Sequence, residues 1–116
     1  MIKIFKKIRN NLISFCQKIR RGYSYYDIVS LDCTIADFIL PRLKYYKENN
    51  IGHPCDLSME EWLTILDKMI YAFDSCSSNN AFEDNFEFNS PEYQNHREKI
   101  REGLKLFAEH FESLWL

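Results

Sequence analysis

The sequence predicts an all-α protein: a bundle of three to four helices preceded by a basic amphipathic helix. Apolar residues recur every three or four positions through its long segments, the spacing of amphipathic helices. Serine-containing motifs typical of helix starts precede three of these segments. The 116 residues include only three Gly and three Pro, and 46% are hydrophobic, so we expect one domain with a core rather than a disordered chain.

Residues 1–21 form the first predicted element, a basic amphipathic arm that ends at Gly22. The arm holds seven Lys and Arg residues and no acid, a charge of +7, whereas residues 22–116 carry −9. Such a helix can bind a membrane surface, bind nucleic acid, contact an acidic protein, or pack in a core with a solvated basic face. The sequence leaves these alternatives open.

Residues 22–116 are predicted to be a single helical domain. Ser24 caps its first helix, which extends to about Glu48, and Asp27 completes the capping motif. Pro41 predicts a kink or break, because proline lacks the backbone donor. Asp32 is a candidate cap for a restart at residue 33, or alternatively a ligand contact. The predicted core stripe is Ile28, Leu31, Ile35, Phe38, Ile39 and Leu43.

Two later helices have clear starts. Ser58 opens a capping box before a central helix that ends near Asp74, and Ser90 with Pro91 opens a helix that extends to about Leu114. Between them, polar residues 75–90 with Phe82, Phe86 and Phe88 predict an ordered loop, or less favourably a short strand. The last helix carries a coiled-coil-like seam of Ile100, Leu104, Phe107, Phe111 and Leu114.

The C-terminal segment is strongly apolar, and an apolar surface needs a cover. We therefore expect Phe111, Leu114 and Trp115 to form an interface in a homo-oligomer, unless they join the protein's own core.

Catalytic and metal-binding patterns are missing from the sequence. The four cysteines form no CxxC pair, and His53 with Cys55 would need two more ligands for zinc. No nucleophile motif or phosphate-binding glycine loop occurs. We expect no enzymatic activity, no cofactor and no metal. Free thiols and the lack of a secretory segment predict a cytoplasmic protein.

Two clusters of cations and aromatic residues are candidates for ligand or partner binding. Arg20 and Arg21 lie beside Ser24, a predicted helix start whose free N–H groups favour phosphate. A second cluster, Arg42, Lys44 and Tyr45, interleaves cations with an aromatic ring, and such clusters stack on nucleotides. The same residues are also compatible with an ordinary solvated helix face, so a nucleotide is one possible ligand.

The run Arg20-Arg21-Gly22-Tyr23-Ser24, followed by Asp27, Leu31-Asp32 and Pro41-Arg42-Leu43, resembles a module of small, mostly uncharacterised bacteriophage and prophage proteins. Segments 67–73 and 99–107 are similar to the same family, so the resemblance covers most of residues 20–112. Ile28-Val29 departs from the family pattern, which more often has Trp there.

This resemblance implies a protein of the host cytoplasm, often an oligomer. It also implies an accessory role, either contact with a host or phage protein, as in countering host defence, or sequestration of a signalling nucleotide.

Overall fold

The structure, a computed structural model, describes residues 2–80 and 86–116. These residues contain five α-helices, one 3₁₀ turn and no strand, which confirms the predicted all-α class. Phe82, one of the aromatic residues of the predicted loop 75–90, lies outside the described residues. The helices are α1 (Ile2–Arg21), α2 (Tyr25–Val29), α3 (Leu31–Asn49), α4 (Met59–Cys76) and α5 (Pro91–Glu109), and the 3₁₀ turn is Phe111–Ser113.

Serine caps define the helix starts that the sequence predicts. The hydroxyl of Ser58 accepts a hydrogen bond from the backbone N–H of Glu61 at 3.1 Å, and Ser90 accepts one from Tyr93 at 3.1 Å. Each hydroxyl thereby satisfies one of the four backbone donors that a helix start leaves free. The predicted starts of α4 and α5 are confirmed.

Helix α4 is the centre of the bundle and packs against both α3 and α5. Its Trp62, Leu66 and Met69 are completely buried. Leu43 of α3 joins the same core cluster, and further partly buried apolar residues of α5 pack against it. Because α4 is apolar around much of its surface, it contacts a helix on each side, as its broad apolar face predicts.

The α4–α5 contact differs from the predicted seam. Gly103 of α5 lies so close to α4 that an added Cβ would sit 2.3 Å from the Lys68 carbonyl oxygen and 2.6 Å from the Ala72 Cβ. Leu104, which the seam placed inside, is exposed instead, as is Phe111. The absence of a side chain at Gly103 permits a close approach, and that approach rotates the next residue outward. Helix α5 also ends at Glu109, earlier than predicted.

The segment predicted to be helical over residues 25–48 is divided at Ser30 into α2 and α3. A restart is therefore present, as predicted, but it begins at Leu31, two residues before the predicted residue 33. The prediction that Asp32 caps a restart is wrong, because Asp32 lies inside the first turn of α3. The expected break at Pro41 is also absent, since α3 continues through it. Buried Ala36 and Leu43 lie on either side of the proline, and their packing offsets its lost hydrogen bond.

The arm stands apart from the bundle. Among the described elements, α1 contacts only α2, and none of its residues is buried. The chain has a radius of gyration of 17.8 Å, against about 13 Å for a compact chain of this length. Its accessible surface is 9110 Å², whereas about 6,700 Å² is typical for this mass. A projecting helix explains both differences.

Candidate functional site

Helix α1 presents an uncovered apolar surface. At about 100° per residue, seven apolar side chains fall within a sector of about 120° that contains no polar residue. Each of the seven is exposed, and Phe5, Phe15 and Ile19 are more than 60% exposed. We call this surface the apolar sector, and it consists of Ile4, Phe5, Ile8, Leu12, Phe15, Cys16 and Ile19.

The rest of the α1 surface is cationic. All seven basic residues of the arm lie outside the apolar sector, and no acid occurs on the helix. Three lysines near the start of α1 line an open groove of about 420 Å³ together with two asparagines and the Tyr26 ring of α2. The groove is therefore positively charged and suited to an anionic group. Its residues are Lys3, Lys6, Lys7, Asn10, Asn11 and Tyr26.

The predicted phosphate site at Ser24 is already occupied by groups of the chain itself. Ser24 is buried, and its backbone N–H donates to the Asp27 carboxylate at 2.9 Å. The N–H of Tyr25 donates to the side-chain oxygen of Gln17 at 2.7 Å. The hydrogen bond from the Ser24 backbone holds the pKa of Asp27 below its usual value, and the charge of Lys18 lowers it further. A phosphate would have to displace a carboxylate here.

Arg20 and Arg21 lie at the end of α1. The Arg21 guanidinium covers the Tyr23 ring, 4.5 Å from its centroid, and its Nε donates to the Tyr23 carbonyl oxygen at 3.1 Å. Arg20 is exposed. Both arginines extend the positive charge of the arm, and Arg21 also orders the link to α2.

The second predicted cluster lies further along the chain, on α3. Arg42 is about 16 Å along the helix axis from Leu31, so the two clusters occupy different ends of the α2–α3 segment. Its guanidinium lies 3.8 Å from the centroid of the Phe38 ring and donates to the Phe38 carbonyl oxygen at 2.9 Å. Lys44 and Tyr45 are exposed beside it.

Four of the six residues of the predicted core stripe face solvent. Ile28 of α2 and Leu31, Ile35 and Phe38 of α3 are about half exposed, whereas the buried face of α3 carries Cys33 and Ala36. Small residues allow α4 to approach that other face closely, which turns the larger side chains outward. The exposed residues follow steps of four, three, four and three, the spacing of a helix–helix seam. We call this surface the α3 seam: Leu31, Ile35, Phe38, Arg42 and Tyr45.

Asp32 is exposed and lies beside two thiols rather than at a helix cap. Burial raises the pKa of Cys33, and the nearby Asp32 and Asp37 carboxylates raise it further. Cys76 is partly buried, and burial and Asp32 likewise raise its pKa. A carboxylate beside buried thiols keeps them protonated and unreactive. No disulfide links the four cysteines, in agreement with free thiols.

The predicted oligomer interface divides into two parts. Leu114 packs against the core, while Phe111 and Trp115 are 61% and 75% exposed. The Tyr46 hydroxyl donates to the carbonyl oxygens of Ser113 and Trp115, both at 3.3 Å, and so holds the segment on α3. An exposed pair remains available for contact.

A cavity of about 580 Å³ lies between the end of α3, residues 50–55 and the C-terminal segment. No Lys or Arg lines it. Trp62 forms part of its wall, and the buried indole Nε1–H has no hydrogen-bond partner among the described residues. Sequence reasoning placed Trp62 in the core but did not find this cavity, because the loop and the C-terminal segment meet only in the folded chain.

Among residues 2–80 and 86–116, no three His, Cys, Asp or Glu side chains are grouped so that they could hold a metal ion. His53 points Nδ1 at the Pro54 carbonyl oxygen, 2.9 Å away. His96 shares a 2.6 Å hydrogen bond with the Tyr71 hydroxyl, and the His110 ring contacts Trp62 edge-on. The three histidines therefore have separate surroundings in different parts of the fold.

Comparisons with protein-family models, with curated proteins and with solved structures find no match to this chain. Within the described part of the chain, no helix has the length and apolar composition needed to cross a bilayer.

Proposed function

We propose that this is a non-enzymatic binding protein of the phage accessory type, which acts in the host cytoplasm by contact with a host or phage protein. The observation that carries the proposal is the α3 seam, an uncovered stripe with the spacing of a helix–helix interface. Contact at this seam can block or recruit a partner without any catalytic group.

The composition of the α3 seam supports a protein partner. Phe, Tyr and Arg are the residue types enriched at the centres of protein interfaces. The Arg42 guanidinium is held over the Phe38 ring, so less conformational entropy is lost when a partner covers the pair. Leu31 and Ile35 extend the same stripe by one further turn. The seam is therefore an ordered apolar strip with one fixed cation.

A homo-oligomer belongs to the same proposal. The seam can pair with a seam of a second copy, and the exposed Phe111 and Trp115 offer a further contact. Isologous pairing of one surface with itself is the commonest way to build a dimer.

A nucleotide ligand, the alternative proposal, finds weaker support in the geometry. The backbone donors at Ser24 and Tyr25 are already bonded within the chain. The cavity beside Trp62 has no cationic lining residue. The exposed Arg42, Lys44 and Tyr45 lie on an open helix face rather than in a concave site. An open helix face of this kind is better suited to contact with a protein surface than to binding a nucleotide.

The test combines affinity capture with sedimentation of the purified chain. We expect Phe38→Asp to remove the captured partner, or to shift the sedimenting species to a monomer, because a charge on an apolar seam prevents its burial. Ile51→Asp is the matched control, since Ile51 is 96% exposed and lies outside the seam. The same captured proteins and the same sedimentation for both variants would contradict the proposal.

A further inference from the structure

The arm carries two features on one helix that no contact within the chain accounts for. Its apolar sector is exposed along the whole length of α1, and its remaining surface is cationic without a single acid. We propose that α1 lies flat on an anionic phospholipid surface, with the apolar sector among the upper acyl chains and the cations among the headgroups.

A lipid surface matches both features, whereas other occupants match only one. Nucleic acid would pair with the seven cations but leave the apolar sector in water. A second α1 would cover the apolar sector but bring two helices of charge +7 together. A cationic polar face opposite Phe and Leu side chains is typical of helices that lie in a bilayer interface.

The geometry around the arm fits this placement. Helix α1 is about 30 Å long, and its sector runs along one side for its full length. Tyr26 of α2 lies beside Lys3, Lys6 and Lys7, on the side of α1 opposite the apolar sector, so α2 does not cover the sector. Gly22, with φ of +85°, turns the chain from the arm into the bundle.

This inference is independent of the proposed function, because the α3 seam is a different surface. The arm would hold the protein at the membrane, and the seam would remain free to bind its partner. A variant of one surface should leave the activity of the other unchanged.

The experiment is flotation of the full chain with vesicles. We expect the protein to float with vesicles of phosphatidylcholine and phosphatidylglycerol at about 3:1, and to bind pure phosphatidylcholine at least about tenfold less, since anionic headgroups attract the cations. Raising the salt concentration should weaken this binding.

Two matched double variants separate the apolar sector from the rest of α1. Leu12→Ser with Phe15→Ser removes two sector residues, and we expect about a tenfold weaker partition into the anionic vesicles. Ile2→Ser with Ile13→Ser removes two exposed apolar residues outside the sector, and we expect less than about a threefold change. All four side chains are exposed, so circular dichroism should show the same helical fold for both variants.

Tryptophan fluorescence measures separately whether the apolar sector inserts into the bilayer. With anionic vesicles, tryptophan emission of Phe15→Trp should shift to the blue relative to the parent chain, whereas that of Ile13→Trp should not. No flotation, equal flotation of the two double variants, or binding of duplex DNA without binding of vesicles would each overturn the proposal. Phe38→Asp should float like the parent chain, so failure of the lipid site and failure of the seam are distinguishable.

Discussion

Helices α1 and α4 are of nearly equal length but differ in what surrounds them. Helix α4 buries five residues, Trp62, Leu66, Met69, Ala72 and Phe73, between its two neighbours. Helix α1 buries none, although its apolar residues recur with a similar period. Amphipathic spacing therefore indicates that a helix has one apolar face, but it does not indicate whether the rest of the chain covers that face.

The charge of each helix accounts for the difference. Helix α4 carries both signs, and its Lys68 pairs with Glu102 of α5 at 2.8 Å, while Asp67 pairs with Lys47 of α3. The arm has no acid and makes no ion pair with the described bundle. A helix that packs inside the bundle can form ion pairs with its neighbours, whereas a helix with only positive charges is suited to an external surface of negative charge.

The largest expected effect on stability is a loss at a leucine of α4, compared with a leucine of α1. Leu66→Ala should lower the free energy of unfolding by about 3 kcal/mol, because it leaves a cavity in a fully buried site. Leu12→Ala should lower it by less than about 0.5 kcal/mol, because Leu12 is 58% exposed. Urea unfolding followed by circular dichroism measures both. Equal losses would mean that the arm belongs to the core.

Two glycine substitutions test how closely α5 packs against α4. Gly103→Ala should cost about 2 kcal/mol of unfolding free energy, because the new methyl group meets the Lys68 carbonyl and Ala72. Gly52→Ala is the control, with only the Asn50 side chain at 3.9 Å, and should change stability by less than about 0.5 kcal/mol. If Gly103→Ala were as stable as the parent, the close approach of the two helices would be disproved.

A smaller effect is expected at the helix caps. Ser58→Ala should lower the unfolding free energy by about 1 kcal/mol, because the N–H of Glu61 loses its acceptor. Ser14→Ala on the arm removes a hydroxyl within a helix rather than at its start, and should not destabilise the chain. Thermal unfolding of the two variants gives the comparison, and an undiminished melting temperature for Ser58→Ala would rule out the cap.

The smallest effect concerns the junction between the arm and the bundle. Hydrogen bonding lowers the pKa of Asp27 in the folded chain, so its contribution to stability is present above the unfolded pKa and is lost as pH falls through the folded pKa. The melting temperature of Asp27→Asn should therefore lie below that of the parent at about pH 6, and the gap should close toward about pH 3. A constant gap across this range would argue against a bonded carboxylate.

Much of the fold follows from local patterns. The capping serines at positions 58 and 90 mark the starts of α4 and α5, because a hydroxyl at that place satisfies donors a helix cannot bond itself. Gly22 marks the end of α1 for an equally local reason, since it adopts a positive φ without strain.

Less of the candidate site could be predicted. The sequence placed Ile35 and Phe38 in the core, because periodicity cannot separate two adjacent stripes of one helix. It also proposed two cation clusters, around Arg20 and around Arg42, as candidates for ligand binding, but did not show that they lie at different ends of the α2–α3 segment. Whether residues of different helices lie close together depends on how the helices cross, and the sequence of a single segment does not determine that.

The sequence by itself determined the all-α class, the starts of α4 and α5, and an arm with cations on one side and apolar residues on the other. These depend on hydrogen bonds and spacings within a few residues. Only the tertiary structure decided which apolar faces are covered. Helix α4 packs where Gly103 and Ala36 let a neighbour approach, and this packing leaves the α3 seam facing outward. Helix α1 contacts only α2, and its apolar sector therefore stays uncovered. The reason is physical: burial is a property of pairs of surfaces, and a sequence segment specifies only one member of each pair.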